Sequence, residues 1–375
     1  LKYAQRKDII RNFVTAQMRI ISILILTLLT ATAHSQQNGL SAELRPQYGF
    51  IIPHRDGLKN LIQGHVKAGE VLVERQTTGS KHWEKAWLLP RVGLGLFVAD
   101  LGNPRQLGWS TALYPYIRFK VNGGKNVRLN YRLGAGVGYI SKVFDEETNY
   151  KNVMIGSHLN MVASMVGELE IDVTERLRTS FGFGLTHYSN GAFTIPNLGL
   201  NIPAISLGLN YNFKTNLLND RVVVDPPIEK YGIIVYGLAG LKENYPVGSR
   251  KYGSYSLSAD FYKRFGYRSR LVGTLDFFYN TSLKPRMIEE GMSVKNEFEV
   301  MQQGFMLSYQ VLINRVAVVV GNGVYLNSKF KDDGLFYHRI GVQYKLNDKW
   351  VARWTLKTHL FRADHFEMGF GYRLK

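Results

Sequence analysis

Alternation with period two, sustained over long runs, constrains this chain more than any other feature of its sequence. From residue 127 to 139 every odd position is apolar and every even one is polar or glycine. The same alternation, in one parity or the other, runs through 205–213, 340–346, 350–360 and 366–374. Successive side chains on a strand point to opposite faces, so each run builds a strand with one apolar and one polar side. About eight such runs lie between residues 41 and 214, and about eight more between 231 and 375.

A water-soluble sandwich produces the same local pattern, so the connections have to decide. Long or irregular ones (54–65, 101–108, 141–158, 190–202, 282–299, 327–335) alternate with tight turns at Asn122-Gly123-Gly124, Thr174-Glu175-Arg176, Gly266-Tyr267, Asn314-Arg315 and Asn347-Asp348. Barrels that cross an outer membrane have short periplasmic turns and longer outer loops. Abundant aromatics and glycine with little proline (Tyr 22, Phe 20, Gly 37, Pro 11) suit such strands better than a soluble core. The expected fold is therefore all-β: an antiparallel transmembrane β-barrel of the outer-membrane type. Residues 36–214 supply about eight strands and residues 231–375 about eight more. Residues 215–230, with Pro226-Pro227, break the alternation and read as a linker or a long periplasmic turn. One large barrel and two smaller ones both fit.

Residues 1–35 read as an upstream extension followed by a signal peptide. Met18-Arg19 precedes an apolar run over 20–29, and Ala31-Thr32-Ala33-His34-Ser35 offers small-residue cleavage sites. A membrane anchor needs about twenty apolar residues, and this run is shorter. The chain is thus expected to be exported, to the bacterial outer membrane. Its formal charge of +18 then faces an anionic surface or acidic lipid head groups, and no nucleic acid. With 0 cysteines there is no thiolate metal or redox chemistry to expect, and neither metal nor cofactor is implied.

The candidate site lies in Thr186-His187-Tyr188-Ser189-Asn190-Gly191, followed by Pro196-Asn197-Leu198-Gly199. Positions i and i+2 of a strand share a face, so the His187 imidazole and the Ser189 hydroxyl can meet. They continue the apolar row Phe181, Phe183, Leu185, the side that faces lipid in a barrel. If the first strand rises from the periplasm, so does the seventh (about 176–188), which puts the pair at its outer end. A polar pair on a lipid-facing surface is costly unless functional. Taken alone, Ser189-Asn190-Gly191 is also a good turn sequence.

His187-x-Ser189-Asn190 with Pro196-Asn197-x-Gly199 resembles the active-site signature of the PagL-type lipid A 3-O-deacylases, whose longer relatives are acyloxyacyl hydrolases. Gly156-Ser157-His158-Leu159-Asn160 and Ile202-Pro203 add to the resemblance, which covers about residues 40–214. Residues 231–375 show no family beyond continuing barrel strands. The resemblance implies a serine esterase acting on an acyl ester of lipid A or lipopolysaccharide in the outer leaflet. Ser189 would be the nucleophile, His187 the general base, and Asn190, Gly191 and Asn197 the oxyanion and substrate-positioning residues. The third catalytic position, a glutamate in the family, is Asn201 here. Alternation points the acids Glu168 and Glu170 on the preceding strand into the barrel. Asn201 keeps a second reading open: a non-catalytic barrel, structural or a pore, that retains the motif as a relic.

Other features read more plainly. His54, His65 and His158 are expected to be solvated loop or strand-end residues, as are the acids Asp145-Glu146-Glu147 and Glu289-Glu290. Lys142 and Lys151 are candidates to hold lipid A phosphates. Trp83, Trp87, Trp109 and Trp350 suit interfacial girdles. Gly93, Gly95, Gly134, Gly136, Gly182 and Gly184 fall on the inward face.

Overall fold

The computed structural model describes residues 39–124, 126–213, 230–360 and 362–374. The expected signal peptide and, apart from Lys230, the expected linker over 215–230 lie outside the described residues.

Strands β1 (Leu40–Gly49), β2 (Val66–Gln76), β3 (Arg91–Asp100), β4 (Trp109–Gly123), β5 (Val127–Ile140), β6 (Leu159–Asp172), β7 (Leu177–Ser189) and β8 (Leu200–Asn212) form one closed barrel. A second closed barrel is built from β9 (Tyr231–Glu243), β10 (Lys251–Phe265), β11 (Ser269–Asn280), β12 (Met301–Ile313), β13 (Val316–Asn327), β14 (Phe336–Lys345), β15 (Trp350–His359) and β16 (Arg362–Arg373). Each strand pairs antiparallel with its sequence neighbour, and β1–β8 and β9–β16 close the rings. The choice between one barrel and two is thus two. Eight strands enclose a space that side chains alone can fill, so each half closes on itself.

The faces follow the alternation. Phe183 on β7 and Leu207 on β8, both 62% exposed, belong to an outward apolar surface that suits lipid. Among the described residues no helix is long and apolar enough to cross a membrane; the crossing elements are strands. Inside the first barrel, Arg118 is fully buried and reaches Glu43 at 2.7 Å, Glu74 at 2.7 Å, Glu168 at 2.5 Å and Glu170 at 3.2 Å. Buried charges survive only when paired, and this network satisfies them. Glu168 and Glu170 point inward, as the alternation requires, and are bound to arginines. In the second barrel Arg339 plays the same part with Asp276 and Glu367, and Arg353 with Asp260. The inward glycines make room for aromatic rings: a Cβ at Gly93 would lie 2.6 Å from the Tyr116 ring.

The barrels touch at both ends. At the turn end, α1 (His82–Ala86) between β2 and β3 leads into Trp87. Trp87 donates from Nε1 to the Leu312 carbonyl at 2.8 Å, and its ring carries the Arg268 guanidinium at 5.3 Å. His82 stacks on Tyr267 at 5.1 Å. Trp87 therefore closes a contact between barrels instead of standing in an interfacial girdle, because the helix turns its ring toward the neighbouring barrel. Trp83 lies within α1. Trp109 and Trp350 do stand at strand ends, packed on Tyr139 and Tyr372. The second contact, at the loop end, involves the candidate site.

Candidate active site

Antiparallel pairing of β7 with β8 puts His187 directly opposite Asn201. Asn201 Oδ1 lies 2.7 Å from His187 Nδ1. The orientation of this amide is set from its far side by His54, from the loop after β1. His54 Nε2 lies 3.0 Å from the Leu198 carbonyl, so in the neutral ring that nitrogen carries the proton. His54 Nδ1 lies 3.3 Å from the Ile52 carbonyl and 3.4 Å from Asn201 Nδ2; with the proton on Nε2 it accepts from the Asn201 amide. Asn201 consequently offers its oxygen to His187, which protonates Nδ1 and leaves Nε2 as the basic nitrogen. His54, expected to be a solvated loop residue, is exposed but hydrogen-bonded into this relay. No local pattern could reveal it, since the partners are 147 positions apart.

Ser189 ends β7 and is only 6% exposed, covered by the loop from 190 to 199. The Asn190 backbone N–H donates to Asn197 Oδ1 at 3.1 Å, so Nδ2 of the same amide faces Ser189 Oγ, at 3.0 Å. The Gly191 N–H also reaches Ser189 Oγ, at 3.2 Å. Two N–H donors thus converge on the hydroxyl oxygen. The Asn190 side chain is engaged elsewhere: its Nδ2 donates to Ser157 Oγ at 2.8 Å and to the Thr194 carbonyl at 2.9 Å. Its amide ties the covering loop together instead of facing Ser189.

The second half of the motif has a steric reason. Gly199 has φ of +82°, and a Cβ there would sit 2.9 Å from His187 Cε1. Only glycine admits both that backbone and the imidazole beside it. The Gly199 N–H donates to the Met154 carbonyl at 2.9 Å, and Ile155 bridges Asn197, which anchors this stretch to the loop before β6. Gly156-Ser157 thus contributes a buttress, and His158 stacks on Tyr139 at 5.3 Å.

Among the described residues, no hydrogen bond joins the His187 imidazole to Ser189. Such bonds are commonly long or misaligned without substrate. The arrangement offers a covered hydroxyl with two N–H donors, and on the same strand face an imidazole with a basic Nε2. Lys142 and Lys151 lie exposed in the loop between β5 and β6. Asp145 in that loop accepts from the Thr148 hydroxyl and amide, both at 2.7 Å, which holds its carboxyl below its usual range. Among the described residues no group of three or more His, Cys, Asp or Glu is placed to hold a metal.

Residues 69–210 match the family model described as lipid A 3-O-deacylase (PagL), and residues 230–375 match the one described as acyloxyacyl hydrolase, C-terminal domain. The second match covers strands to which the sequence reading assigned no family. No curated protein matches the chain. Among solved structures, the outer membrane enzyme PagL is 16% identical, with 45% of this chain and 98% of that one covered and a TM-score of 0.30. The siderophore receptor PirA from Pseudomonas aeruginosa is 7% identical, with 91% and 81% covered and a TM-score of 0.21. The NanC porin is 5% identical, with 81% and 100% covered and a TM-score of 0.16.

Proposed function

We propose, from the premise that this outer-membrane chain belongs to the PagL lipid A 3-O-deacylase and acyloxyacyl hydrolase family, that it is a serine esterase removing an acyl chain from lipid A. The observation that carries this reading is the convergence of Asn197 Nδ2 and the Gly191 N–H on Ser189 Oγ. In the proposed reaction His187 Nε2 takes the Ser189 proton as Oγ attacks the ester carbonyl. The new C–O bond turns the carbonyl oxygen into an oxyanion two bonds away from Oγ, within reach of the same two donors. Collapse expels the sugar alkoxide, which takes the proton from His187, and water then hydrolyses the acyl-enzyme by the reverse sequence. His187 and Ser189 continue the row of β7 that carries the exposed Phe181 and Phe183, which suits an ester whose chain lies in the membrane. Exposed Lys142 and Lys151 are the proposed partners of the lipid A phosphates.

Mass spectrometry of lipid A from cells with and without the protein tests the proposal. The expected result is loss of one acyl chain in the expressing cells; unchanged lipid A would overturn it.

Asn201 supplies orientation without charge. A carboxylate in its place would also stabilise the imidazolium that forms during attack. Asn201→Asp keeps the size and the 2.7 Å contact. It is expected to raise kcat by about tenfold or more, read as the initial rate of fatty-acid release from lipopolysaccharide. A slower variant would show that Asn201 does not serve as the third member.

A further inference from the structure

At their loop ends the two barrels meet on the segment that covers Ser189. Glu243, the last residue of β9 and 4% exposed, donates its backbone N–H to the Ala192 carbonyl at 3.0 Å. Its carboxylate accepts the Ile195 N–H at 3.3 Å and pairs with Lys251, the first residue of β10, at 2.6 Å. The Lys251 ammonium also bonds the Phe193 carbonyl and Thr194 Oγ1, and stands 4.8 Å over the Phe193 ring. From β16, the Phe366 ring presses on Gly191, where a Cβ would come within 2.3 Å of it. Three adjacent strands of the second barrel thus hold residues 191–195 of the first.

That segment is tied directly to the candidate site. Thr194 bonds the Asn190 side chain through its carbonyl at 2.9 Å and its N–H at 3.4 Å. Gly191, under the Phe366 ring, supplies the N–H that reaches Ser189 Oγ. Gly191 takes a left-handed φ of +64°, which glycine adopts readily, but Ala192 at +60° is in a conformation that costs a non-glycine residue and that its surroundings have to hold. Donors aimed at developing charge help only when they are fixed beforehand.

We propose that the second barrel is a clamp that positions the Ser189 donors, with Glu243, Lys251 and Phe366 as positioning residues. The clamp rests on the esterase reading for its catalytic consequence, though not for its effect on the loop. In full-length protein in detergent, Lys251→Met and Glu243→Gln are expected to lower kcat by about tenfold while KM stays within about twofold. Lys251→Arg, which keeps the cation, restores most of the rate. Added protease is expected to cut within 191–195 in Lys251→Met and Glu243→Gln and to spare the wild type. Phe366→Ala, which trims a ring on the outside of the barrel, removes the contact on Gly191 without disturbing the ion pair and is expected to act in the same direction. Wild-type kcat together with wild-type protease resistance in all three variants overturns the clamp. If the wild type itself releases no fatty acid, the esterase reading fails, and loop cleavage still decides the clamp.

Discussion

Ser189→Ala is expected to lower fatty-acid release from purified lipopolysaccharide by at least about 10³-fold, since removal of a nucleophile leaves only binding and donor effects behind. The substitution deletes one oxygen at a site that is 6% exposed and leaves the strand pairing of β7 untouched. The barrel should therefore keep the fast migration of a folded barrel on unheated gels. His187→Ala should cost a similar factor, and the double variant scarcely more than either single one, because nucleophile and base act as a unit. Nearly additive losses would mean that the two residues do not share a step. Release unchanged in Ser189→Ala would sink the catalytic assignment and favour a barrel that keeps the motif as a relic.

Arg118→Met is expected to destabilise the first barrel by about 3–5 kcal/mol, the range for breaking a buried ion pair from one side. Arg118 is the hub of the interior, with Glu43, Glu74, Glu168 and Glu170 all within 3.2 Å. Methionine occupies similar space but leaves these carboxylates short of a cation in a closed interior. Restoring charge balance should recover part of the loss, so Arg118→Met with Glu168→Gln is expected to be more stable than Arg118→Met alone. Urea midpoints of the folded-to-unfolded shift on unheated gels measure both. A single variant as stable as the wild type would show that water or other arginines take over the pairing.

Both predictions trace back to what could be read locally and what could not. The strand β7, its outward Phe181 and Phe183 and the inward Glu168 and Glu170 on β6 were legible, because period two assigns a face to every residue without knowledge of its partner. The His187–Asn201 pairing was legible through the family resemblance, and the register of β7 on β8 supplies it physically. Of the three residues named beside Ser189 from the sequence, Asn197 and Gly191 supply the two N–H donors on its Oγ, whereas the Asn190 side chain turns to Ser157 and Thr194. Which face of a loop residue meets which partner depends on the course of the whole loop. Trp87 shows the same limit, since proximity to a strand end does not distinguish a lipid interface from a neighbouring barrel.

Sequence alone determined the all-β class, the approximate strand boundaries, the inward and outward sides, and the sharing of one face of β7 by His187 and Ser189. These properties depend on neighbours two residues apart along an extended chain. Tertiary structure decided that the strands close as two rings, that His54 orients Asn201 across 147 positions, and that Glu243, Lys251 and Phe366 grip the loop over Ser189. Those outcomes depend on strand closure and on side chains meeting from distant parts of the chain, for which an alternating pattern carries no address.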